Sequence, residues 1–144
     1  MKKPLLAAAL FLPLVLSGCD DAHSARVEET RGRMVGTWLR EAEFEGSKMR
    51  MVVALGQDGK FSEHAKVVAP DGTTQSEHYS GEWTYDGTNF KRRYLQQAGR
   101  QFSGGGIRYA TYQLTSLTRT DFTGRDNREG REITYRRVTE GTEP

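Results

Sequence analysis

Turn signals recur through the chain at short, regular intervals. They are Glu45-Gly46-Ser47, Gln57-Asp58-Gly59, Pro70-Asp71-Gly72, Asp86-Gly87-Thr88-Asn89, Ser103 to Gly106, Arg119-Thr120-Asp121 and Asn127 to Gly130. An Asp-Gly pair between alternating segments marks a hairpin, because glycine takes the positive φ that the turn demands. The segments between the turns alternate. Met49, Met51, Val53 and Leu55 share one face, as do Tyr79, Gly81, Trp83 and Tyr85, and again Ile133 and Tyr135. Period-two alternation, with threonine and aromatic enrichment, describes half-buried strands. No segment after residue 34 shows a helical period.

Eight strands follow, at about 34–45, 48–56, 60–69, 73–86, 89–96, 107–118, 122–127 and 131–138. Each is joined to the last by a short turn, which favours an up-and-down meander. Eight such strands leave two bare edges unless the sheet closes. Closure at eight gives an interior that side chains fill or that holds one small ligand. The fold class is therefore all-β, an eight-stranded antiparallel up-and-down barrel. The connection at about 98–106 is the longest, a candidate mobile flap at a barrel mouth.

The N-terminal segment has a different character. Lys2 and Lys3 form a basic region, Pro4 to Leu16 is apolar, and Ser17 and Gly18 are small. That is the anatomy of a secretory signal. The apolar run is shorter than the ~20 residues of a membrane span and holds Pro4 and Pro13. Leu16-Ser17-Gly18-Cys19 resembles the lipobox of bacterial lipoproteins at all four positions. The resemblance implies that the thiol of Cys19 accepts a diacylglycerol and that residues 1–18 are then removed. It also implies that the new amino group is often acylated, with palmitate or a similar chain. Two or more acyl chains hold a protein stably on a bilayer, so the implied partner of Cys19 is the membrane. Asp20 after the cysteine resembles the retention signal of inner-membrane lipoproteins. The implied address is the periplasmic side of the cell envelope, on the inner membrane if Asp20 acts so and otherwise on the outer. Cys19 is the only cysteine, so no disulfide forms within one chain.

The charge argument changes once the signal is gone. The chain has 21 Lys and Arg against 19 Asp and Glu; losing Lys2 and Lys3 makes the balance even. This argues against nucleic-acid binding and against a polybasic membrane segment. Residues 19–33 are polar, with Val27 the only large apolar residue, and read as a flexible lipidated tether with at most a helical turn near Arg26 to Arg33. The barrel domain spans 34–139, and 140–144 reads as a frayed polar tail.

A second resemblance rests on "VGTWLREAEF" (35–44), "GQDGKFSEHA" (56–65), "SGEWTYDGTNF" (80–90), "YQLTSLTRTDFTGRD" (112–126) and "TYRRV" (134–138). Together these are similar to the small lipocalin-like domains of bacterial lipoproteins, and Gly36-x-Trp38 matches the lipocalin first-strand signature. The resemblance implies that Trp38 plugs one end of the barrel and that Arg136 or Arg137 stacks over it. The disulfide of classical lipocalins and the helix after their barrel are missing here.

Candidate chemistry is sparse. Ser62-Glu63-His64 and Ser76-Glu77-His78 repeat across the Pro70-Asp71-Gly72 turn. A three-residue loop places Ala69 opposite Thr73 and His64 opposite His78, two imidazoles that could share a metal ion. No third ligand follows from the pattern, and Glu63 and Glu77 point to the other face. In "FKRRYLQQAGRQF" (90–102), Lys91 and Arg93 share one face while Arg92 falls with Phe90 and Tyr94; the charges read as a solvated face. No G-x-S-x-G or H-E-x-x-H motif is present. No catalytic residue and no cofactor is therefore assigned. Two functions stay open. One is a non-catalytic binding module for a small apolar or amphipathic ligand, with Trp38, Phe44, Met51, Trp83, Tyr85, Phe90 and Tyr94 as wall candidates. The other is a protein-interaction module of the envelope, such as an inhibitor or immunity protein against a cell-wall hydrolase. In the latter reading "FSGGGIRY" (102–109) resembles the serine-glycine and tyrosine loop of lysozyme-inhibitor lipoproteins through Ser103, Gly104 and Tyr109, with a longer spacing and without their cysteines.

Overall fold

The alternating segments pair in the order in which they occur. The structure, a computed structural model, describes residues 18–102 and 108–144. One helix, α1 (Gly18–Met34), precedes the strands β1 (Gly36–Phe44), β2 (Ser47–Leu55), β3 (Lys60–Val68), β4 (Thr74–Tyr85), β5 (Asn89–Gln97), β6 (Arg100–Gln101), β7 (Arg108–Leu117), β8 (Asp121–Asp126) and β9 (Glu132–Val138). Each long strand pairs antiparallel with the next, β5 pairs β7, and β1 pairs β9, so the eight long strands close into an up-and-down barrel. The expected fold class is the observed one. β6 adds two residues beside β5.

The connection read as a flap is partly a hairpin. Ala98 (φ 49°) and Gly99 (φ 76°) form a two-residue turn of the primed kind, as do Glu45 (φ 49°) and Gly46 (φ 76°). Such turns twist with the strands, which is why a non-glycine residue is tolerated at positive φ in each. Ser103 to Gly106 lie outside the described residues, as do the signal segment through Ser17 and the first two positions of the lipobox. For Cys19 only the helical backbone is described.

The inward faces are aromatic. Trp38 meets Phe122 edge-on at 4.8 Å between ring centroids, and Phe122 stacks on Tyr135 at 4.5 Å and contacts Phe90 at 5.8 Å. Trp83 and Tyr112 lie at 6.1 and 6.2 Å from Phe90. Val53, Leu55, Phe61 and Ile133 complete this cluster. An eight-stranded barrel is just wide enough to be filled this way.

Two kinds of barrel end result. Where β1 begins and β9 finishes, α1 closes the barrel. Met34, its last residue, is fully buried in the core, and its carbonyl accepts a hydrogen bond from Nε1 of Trp38 at 2.7 Å. One stripe of α1 touches the barrel: His23 and Val27 lie against Gly87, and Arg31 sits 4.9 Å over Trp83. His23, Val27, Arg31 and Met34 recur at helical spacing. The segment read as a tether is thus helical throughout, because this mixed stripe, not a run of apolar residues, gives it a surface to rest on.

Arg137 clasps the same end. Its guanidinium lies 4.1 Å over the Trp38 ring. Nη1 and Nη2 donate to the carbonyls of Val35 (2.9 Å) and Arg33 (2.6 Å), and Nε donates to the carbonyl of Arg119 (2.9 Å). The stacking residue is therefore Arg137 of the two arginines proposed from sequence; Arg136 is outside, near Glu41. Gly36 is glycine for two reasons. Its φ is +134°, and a Cβ there would collide with Nη1 of Arg137.

The C-terminal tail also makes contact. Leu39, Val52, His64 and His78 form one cross-strand row on the outer surface of β1–β4. Leu39 and Val52 are buried, and Oε2 of Glu143 lies 3.2 Å from Nδ1 of His64. The segment read as frayed thus returns across this row.

Candidate functional site

The far end of the barrel is built differently. Above the aromatic cluster, the interior holds a charge pair. Glu63 projects inward from β3 and Arg92 from β5, and both are buried. Nη1 of Arg92 bonds Oε2 of Glu63, and Nη2 donates to the hydroxyls of Tyr135 (3.3 Å) and Tyr112 (3.4 Å). The rings of Phe61, Phe90, Tyr94 and Tyr112 surround the guanidinium at 5.6 to 5.7 Å. Such rings attract a cation that has lost its water. Nε of Arg92 is buried without a partner among the described residues. Tyr94 donates to the same Oε2 of Glu63 at 3.0 Å. Burial pushes the hydroxyls of Tyr94 and Tyr135 up from the ordinary tyrosine range, so both stay protonated.

This pair corrects the reading of the basic run as a solvated face. Lys91 and Arg93 are on the exposed side, but Arg92 is almost fully buried. The alternation already grouped Arg92 with Phe90 and Tyr94, and its partner Glu63 alternates with Phe61 and Ala65. A buried arginine requires a buried acid on a neighbouring face. That requirement could have joined the two residues from sequence once closure of the barrel was assumed.

Glu63 is also the floor of a cavity of about 610 Å³ that opens at this end. Its walls are Tyr79, Tyr94, Phe102 and Tyr109, and Arg108 and Arg128 complete the lining. Phe102 and Tyr79 face each other at 6.4 Å with planes 23° apart, and Tyr94 meets Tyr79 edge-on at 5.5 Å. The guanidinium of Arg108 lies 4.5 Å over Phe102. Burial, and then the neighbouring carboxylate of Glu77, raise the Tyr79 hydroxyl above its ordinary pKa.

Of the seven wall candidates, Tyr94 alone lines this cleft. Trp38, Trp83 and Phe90 are buried in the packed core, with Met51 and Tyr85 packed against it. Phe44 is 49% exposed and borders a separate surface groove with Arg40 and Met49. The barrel is thus filled through most of its length and open at one end. Sequence reading missed Glu63, Tyr79, Phe102, Arg108 and Arg128 as one group, since they come from β3, β4, β7 and two connections that only closure brings together.

No protein-family model matches the chain, and no curated protein matches it.

The histidine register is the expected one. Ala69 N bonds the carbonyl of Thr73 at 2.8 Å, and His64 pairs with His78, with ring centroids 5.6 Å apart. Among the described residues, no group of three or more His, Cys, Asp or Glu is placed to hold a metal ion. The two imidazoles, with the Glu143 carboxylate beside His64 alone, do not converge as the three or four protein ligands of a zinc site. Equimolar zinc is expected to shift the melting temperature by less than about 1 °C, too little for specific binding by linkage. A larger rise that His64→Ala abolishes would establish a site.

Proposed function

We propose that this chain is a lipid-anchored protein of the bacterial envelope whose lipocalin-like barrel binds a small amphipathic molecule at its open end without transforming it. The cleft carries this reading. It is of small-molecule size, concave and largely aromatic, with a few polar groups converging on it. The lipocalin-like signature Gly36-x-Trp38, with an arginine of the last strand over the tryptophan, supports the family half of the proposal.

The anchor half rests on Leu16-Ser17-Gly18-Cys19 behind a signal-like segment. No helix among the described residues is long and apolar enough to cross a membrane. Acyl chains on Cys19 supply the attachment, with the barrel on the periplasmic face.

Two measurements test the two halves separately. Cys19→Ser is expected to leave an unprocessed precursor or to move the protein to the soluble fraction; unchanged membrane fractionation would remove the anchor. Native mass spectrometry of the protein extracted from its own envelope is expected to show a bound small molecule. A co-purifying protein in its place would favour the interaction-module reading.

A further inference from the structure

The composition of the cleft narrows its ligand class, on the reading that the cleft is a binding site. We propose that it takes an aromatic anion: a planar ring system carrying a sulfonate, carboxylate or phosphate-type group.

The walls select the ring. Among the described residues, all four wall side chains are aromatic and none of the lining is Leu, Ile or Val. Tyr79, Tyr94 and Phe102 present flat faces and ring edges at fixed angles of 23° and 88° to one another. Stacked and edge-on contacts of this kind favour another ring over a flexible alkyl chain. A cleft of about 610 Å³ has room for a two- or three-ring molecule.

The polar lining selects the charge. Among the described residues, Glu63 is the only acid on the lining, and Arg92 already neutralises it. Arg108 and Arg128 make no ion pair among the described residues; the carboxylate of Asp126 feels the charge of Arg128 from outside the lining, and Arg108 is the less compensated of the two. The guanidinium carbon of Arg108 sits 4.5 Å from the centre of the Phe102 ring, and its N–H groups make no hydrogen bond among the described residues, which leaves them for an acceptor. The floor adds one further preference. Oε2 of Glu63 receives the bonds from Arg92 and Tyr94, while Oε1 receives none among the described residues. A ring hydroxyl or amine on the ligand would donate to it.

Two dyes with one body provide the test. 8-Anilinonaphthalene-1-sulfonate carries the anion, and N-phenyl-1-naphthylamine is its uncharged parent. The purified full-length protein is expected to bind the sulfonate at one site at least ~10-fold more tightly than the parent, since charge-assisted bonds are about twice as strong as neutral ones. Arg108→Gln and Arg128→Gln should each weaken the sulfonate by ~3- to 10-fold and leave the parent unchanged, which also excludes dye bound elsewhere. Dodecanoate, an anion without a ring, should not displace the sulfonate. Equal affinity for the two dyes would overturn the anion while leaving the cleft a binding site. Displacement by dodecanoate would overturn the ring. Binding of neither dye would overturn this inference and the binding function together.

Discussion

Trp38→Ala is expected to leave the domain barely folded. Trp38 is fully buried, its ring is wedged against Phe122, and its Nε1 satisfies the carbonyl of Met34. Truncating a buried tryptophan typically costs about 3–5 kcal/mol, against a total of about 5–15 kcal/mol for a domain. Here the loss extends past the cavity. Arg137 loses the surface on which it stacks, and the carbonyl that ends α1 loses its donor. Urea unfolding followed by far-UV circular dichroism gives the cost. Iodide quenching in a Trp83→Phe background checks the burial directly, and Trp38 should be poorly quenched there. An alanine variant that unfolds at the wild-type midpoint would remove the end-plug role.

The interior ion pair should be nearly as sensitive. Glu63→Met leaves Arg92 charged and buried, with Nε already unpartnered among the described residues. Removing one member of a buried pair costs about 3–5 kcal/mol, whereas replacing both by apolar groups of similar volume is often neutral. Arg92→Met alone, which strands Glu63, is expected to be strongly destabilising for the same reason. The double variant Glu63→Met/Arg92→Met should recover most of the loss. The four proteins form a double-mutant cycle in urea. Single variants within ~1 kcal/mol of wild type would mean that water reaches the pair and that the barrel is wetter at this level than its packing indicates.

Different parts of the molecule were legible to different degrees. The strands follow from alternation and Asp-Gly turns, both local signals, and the His64–His78 register follows from the length of one loop. The end-plug was legible only through the resemblance that Gly36-x-Trp38 carries, not from the spacing itself. Helix α1 was not, because its docking stripe is His23, Val27, Arg31 and Met34, of which two are polar, and a count of apolar residues overlooks them. The cleft was hidden for another reason. Its residues lie far apart along the chain, and their meeting depends on the β4–β5 and β5–β7 pairings and on where the connections fall. Arg92 was placed on the right face and given the wrong environment, since alternation reports sides and not depth.

The clasp at the helix end imposes an order in time. Arg137, near the end of the chain, holds the carbonyls of Arg33 and Val35, 104 and 102 positions earlier. Loop closure over such separations is entropically costly and comes late in folding. An emerging chain therefore carries α1 unlatched for almost the whole of its synthesis. Only when the last strand arrives do the final turn of the helix and the rim of the barrel become a single unit. The first structured segment to appear is among the last to be secured, and any chain that stops short of Arg137 lacks the latch however complete its first strands are.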